Sequence, residues 1–88
     1  MPDKTEALKA LELIKKSGFP KDAEWTIAHE IVQDREGVPI FDAIHALLHR
    51  LEGDYNNAAY WDRRAGTNFG RHGPETEIEQ LEKMVRSA

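Results

Sequence analysis

The sequence predicts an all-α fold of about five short helices around one small core, with a central antiparallel helix hairpin at 40–66. Three observations predict it. Apolar residues recur at three- and four-residue spacing in five separate stretches, no stretch alternates with the two-residue period of a strand, and the breaks between stretches hold glycine. A chain of 88 residues reads as a single helical domain spanning 1–88.

Asp3 followed by Glu6 resembles a capping box and opens the first helix, in which Leu8, Leu11, Leu13 and Ile14 share a face opposite lysines and glutamates. Ser17-Gly18 closes it, and Pro20 prevents it from resuming. Asp22 suits the N-cap of a second helix with a Trp25, Ala28, Ile31, Val32 stripe, which Gly37 stops before Pro39 starts the next segment. The third helix runs over 40–52, with Phe41, Ile44, Leu48 and Leu51 facing the core and Leu47 alongside. Gly53 suits the left-handed residue that ends a helix, and Asp54 the acceptor for the first-turn amides of the fourth, so helices three and four fold back on each other. The fourth helix, with a Tyr55, Ala58, Ala65 stripe, ends at Gly66. Residues 67–74, TNFGRHGP, form a glycine-rich loop. The last helix covers 75–86 with Ile78, Leu81 and Val85 inward, an acidic first turn, and Lys83 and Arg86 at its end, as the helix dipole favours.

Composition excludes several chemistries. There is no cysteine, so no disulfide framework, thiolate nucleophile or cysteine zinc site. The net charge of −4 opposes sequence-independent nucleic-acid binding, and no apolar run approaches the roughly 18 residues of a membrane span. The opening MPDKTEALKALELIKK lacks the apolar stretch of a secretory signal, so a cytoplasmic location is expected. A domain this small has a thin core, which makes a homodimer or another protein partner the expected way to bury more surface. From His45 to His72 the net charge is +1, against −5 for the rest, so a small anionic ligand would find its most favourable surface there.

The chemistry-bearing residues concentrate in DAIHALLHRLEGDYNNAAYWDRRAG, residues 42–66. On a helical wheel Asp42, His45, His49 and Glu52 form one acid–His–His–acid row beside the core face, while Arg50 points away. In an antiparallel hairpin turning at 53–54, His45 comes level with Asp62, which predicts that the two meet directly or through one water. Trp61 and Arg64 occupy the next arc of the fourth helix and can stack. Three readings of this seam stay open: a structural network, a small-anion site in which Trp61, Arg64, Arg71 and His72 join the row, and a metal site. Two histidines at i and i+4 share a helix face, and Glu52 or Asp62 would supply a third ligand. His29-Glu30 reads as solvated or packed on a helix flank, and no serine, threonine or lysine stands beside an evident base.

Gly53-Asp54-Tyr55, Ala58, Tyr60-Trp61 and Ala65, with Ala46 on the preceding helix, resemble a single tetratricopeptide-like hairpin over 41–66. That resemblance implies a turn packed by Tyr55 and two helices closely apposed through small residues. It departs at His49 and Asp62, and no second copy follows at the period of roughly 34 residues. The block HxxxHRxEGDxxNAxYWxRRAG is also similar to a string in small bacterial proteins of unassigned function, which implies no activity. The sequence thus leads to a non-enzymatic protein-interaction or small-ligand-binding module. The alternative is a metal- or metabolite-dependent enzyme using His45 and His49. No cofactor is expected, although the histidines admit a divalent metal.

Overall fold

The structure, a computed structural model, describes residues 3–18 and 22–87, the side chain of Asp3 excepted. The capping role of Asp3 and the stop at Pro20 lie outside the described residues. Five α-helices appear there: α1 (Asp3–Ser17), α2 (Ala23–Gln33), α3 (Pro39–Leu51), α4 (Tyr55–Ala65) and α5 (Pro74–Ser87). A short 3-10 turn, Gly70–His72, precedes α5. The all-α expectation holds, with every helix within a few residues of the span read from sequence.

The molecule is built around α3. Every residue from Ile40 to His49 is buried, so this helix has no solvent face over most of its length. It packs against α1, α2, α4 and α5, and its pairing with α4 is the most extensive. Ala7, Ala10, Leu11 and Ile14 of α1, Trp25, Ala28 and Val32 of α2, and Ile78, Leu81 and Val85 of α5 close around Phe41, Ile44, Leu47 and Leu48. Burial on all sides explains why the polar residues of α3 cannot remain solvated. Asp42, His45 and His49 are carried inside with the helix and need partners there.

Local signals set the helix ends. Asp22 accepts the backbone N–H of Trp25 at 3.1 Å and caps α2, as expected. α2 ends at Gln33, short of Gly37, because residues 34–38 tighten into turns closed by Arg35 N–H to Val32 C=O and Val38 N–H to Arg35 C=O. The side chain of Arg35 covers a further carbonyl, that of Ile31, at 3.2 Å. Between α3 and α4, Gly53 has φ +84°, and Asp54 accepts the Asn57 N–H at 3.2 Å. The two-helix hairpin forms as the sequence predicts.

The buried stripe of α4 differs from the expected one. Ala58 and Trp61 are buried, whereas Tyr55 is 68 % exposed. Tyr55 begins the helix at the hairpin tip, where it lines a groove of about 410 Å³ together with Leu47, Arg50, Leu51 and Pro74. Trp61, six residues further along the helix, is buried in its place. The turn is therefore not packed by Tyr55 as the repeat-like resemblance implied.

Candidate metal centre

Two helices bring three imidazoles together. α3 presents His45 and His49 four residues apart on one face, and α2 presents His29 one turn after Trp25. The rings of His45 and His49 stack with centroids 4.9 Å apart and planes 19° apart. His29 stands nearly perpendicular to both, at 4.8 Å from His45 and 5.4 Å from His49. Its Nε2 lies 3.0 Å from Nε2 of His45. One ring nitrogen from each of the three falls within 4.8 Å of the others.

Aromatic side chains wall this cluster. Trp61 covers His45, with centroids 3.9 Å apart and planes 14° apart. Trp25 stacks on His29 at 4.9 Å and is fixed by its own N–H, which donates to the Leu48 carbonyl at 2.9 Å. Arg64 places its guanidinium 5.0 Å above Trp61, the stacking foreseen from sequence, and donates to the Tyr60 hydroxyl at 3.1 Å. Asp42, at the start of the row, accepts the Gly37 N–H at 3.1 Å and lies 3.9 Å from Arg64.

The three histidines differ in their outer partners. His49 Nδ1 lies 2.6 Å from Glu52 Oε1, which leaves Nε2 as the nitrogen able to take a ligand. His45 is 2 % exposed, and its Nδ1 has no hydrogen-bond partner. Burial first, then the neighbouring His29, His49 and Arg64, push the His45 pKa down to about 3, so the ring is neutral. A buried N–H without an acceptor costs more than a bare lone pair. The metal-free ring is therefore best served by donating from Nε2 to His29 and leaving Nδ1 unprotonated.

Four expectations need correction. His45 and Asp62 do not pair: Nε2 of His45 faces His29, while Asp62 receives Arg50 Nη1–H at 3.0 Å and the Thr67 hydroxyl at 3.2 Å. Trp61, the neighbour of Asp62 on α4, stacks on His45 instead, and Asp62 meets Arg50, which also binds Glu77 of α5. Asp62 is accordingly no ligand candidate. Arg50 does not point into solvent. It binds buried Glu77 through two hydrogen bonds, at 2.9 and 2.6 Å, and fastens α3 to α5. These bonds raise its pKa, against the opposing effect of burial. Arg71 and His72 are exposed on the 3-10 turn beside α5, and none of the cluster's contacts reaches them, so the anion site drawn around them does not assemble.

Glu52 belongs to the site, but as the outer partner of His49. His29 was missed. Its neighbours Ala28 and Val32 are buried, which places it at the edge of the core stripe, and its four-residue spacing from Trp25 was the available signal for a stacked pair. A second group, His49, Glu52 and Asp54, also has ligand atoms within 4.8 Å of one another. There Asp54 already accepts the backbone and side-chain amides of Asn57, and Glu52 is bound to His49, so neither is arranged for an ion.

No family model matches this chain, and no curated protein or solved structure matches it. No helix among the described residues is long and apolar enough to cross a membrane.

Proposed function

We propose that this protein is a small-ligand-binding module whose ligand is a divalent transition-metal ion, held by His29, His45 and His49. The observation that carries the reading is the convergence of three imidazole nitrogens within 4.8 Å in a largely buried cluster flanked by two indoles. A tetrahedral ion with nitrogen ligands at about 2.0–2.1 Å holds those nitrogens roughly 3.3 Å apart. The 3.0 Å between His29 and His45 is close to that span. An all-imidazole donor set suits zinc, cobalt, nickel or copper and not calcium or magnesium.

Two further features support the reading. The Glu52 carboxylate on His49 Nδ1 is the kind of outer partner that orients metal-bound imidazoles. His45 also breaks a rule of core design, because a buried ring with an unpartnered nitrogen is less stabilising than an apolar ring of similar shape. Such local violations concentrate at functional sites. Because His45 has no outer acceptor, the site suits an exchangeable ion better than a permanently locked one.

The test is metal titration of chelator-treated protein with zinc and cobalt, followed by calorimetry and elemental analysis. One ion per chain, lost in His45→Phe, is the expected result. Phenylalanine keeps a flat ring between His49 and Trp61, and circular dichroism should show the variant folded. Equal binding by His45→Phe, or no binding by the parent chain, refutes the assignment.

A further inference from the structure

We infer that the three-histidine centre leaves one coordination position open to a small exogenous ligand, water or a monodentate anion; this rests on the metal-binding reading above. The inference starts from the donor count. Among the described residues, no fourth histidine or carboxylate joins the three nitrogens within 4.8 Å, and the chain has no cysteine. The neighbouring acids are already engaged. Glu52 is bound to His49, Asp62 to Arg50 and Thr67, and Asp42 to the Gly37 amide. Zinc and cobalt prefer at least four ligands, and sites with three protein ligands complete the set with solvent or substrate.

The surroundings define which ligand fits. Trp61 closes the face of His45 away from His49, and His45 itself is 2 % exposed, so no approach lies on that side. His29 is only half-buried, so of these two histidine rings it is the one that meets solvent. With Trp25 stacked on His29 and Trp61 on His45, the room left beside the three nitrogens suits a water, a hydroxide or a small anion better than a bulky group. The two indoles keep the surroundings of the cluster poorly polar. A metal there would hold its water with a pKa near 7, far below that of bulk water. A metal held there by the three histidines would have a nucleophile available at neutral pH, in contrast to one in a closed structural site.

Cobalt-loaded protein tests the inference, with azide as the probe ligand. The visible absorption of Co(II) reports its coordination number. Saturable, one-to-one change of that spectrum by azide, with one cobalt per chain, is the expected result. Cobalt bound through the histidines with a spectrum indifferent to azide overturns the open position and leaves the metal reading standing. One cobalt per two chains also overturns it, because a second copy then fills the vacancy. Failure of cobalt to bind, or binding unchanged in His45→Phe, removes both readings together.

Discussion

Replacing Arg50 by alanine should remove a large share of this protein's stability. Arg50 makes four hydrogen bonds to two carboxylates, at 2.9 and 2.6 Å to Glu77 and at 3.0 and 3.4 Å to Asp62. The exposures decide the magnitude: side chains of Arg50 and Asp62 are 19 % and 17 % exposed, but Glu77 is only 2 % exposed. An ion pair at the surface is worth at most about 1 kcal/mol. Removing the guanidinium from this one leaves the Glu77 carboxylate buried and uncompensated, which costs roughly 3–5 kcal/mol. A chain of this size has a total stability of about 4–13 kcal/mol. The expected loss in melting temperature is on the order of 20 °C. Urea and thermal melts followed by circular dichroism measure it. Arg50→Leu with Glu77→Leu should regain at least half of the loss, since an apolar pair of similar volume needs no compensation. A loss under about 1 kcal/mol for Arg50→Ala, or a double variant weaker than the single one, would refute the buried-pair argument.

Three other outcomes follow from the same geometry. Glu52→Gln should weaken zinc or cobalt binding by about 10–100-fold, because it takes the charge from the outer acceptor of His49; titration calorimetry reads this directly. Gly70→Ala should destabilise by about 1–3 kcal/mol in urea melts, since a Cβ there meets the guanidinium of Arg50, which two carboxylates hold in place. Metal-free protein should lose stability on acidification. The folded pKa of His45 is about 3, below the unfolded value of 6.5, so the unfolded chain binds the extra proton. Its contribution is complete above about pH 6.5 and falls by up to about 1.4 kcal/mol per pH unit towards pH 3. Glu77, whose pKa burial raises, contributes with the opposite sign, so His45→Phe is the control that isolates the histidine. Parallel acid melts with equal slopes for both proteins would count against a neutral buried His45.

Much of the fold was legible because its signals are local. The Asp22 and Asp54 caps, the left-handed Gly53 and Gly66, and the core rows of α3 and α5 each depend on neighbours a few residues away. His45, His49 and Glu52 were found for the same reason: they share a helix face, and helical spacing alone puts them together. The stacking of Arg64 on Trp61 is likewise an i, i+3 relation.

What sequence could not fix was rotation and long-range pairing. A turn of α4 by one residue exchanges Trp61 for Asp62 opposite His45, and no pattern of spacing distinguishes the two. Arg50 looks like a surface residue until α5, 27 positions later, supplies Glu77. His29 looks like a helix flank until packing of α2 against α3 seats it over His45. By itself, then, the sequence determined the five helices, the Asp22 and Asp54 caps and the histidine row, since each follows from backbone hydrogen bonding and side-chain periodicity within one segment. Only the tertiary structure decided which polar groups of different segments meet, because burying α3 forces His45, Asp42 and Arg50 to find partners outside the helix.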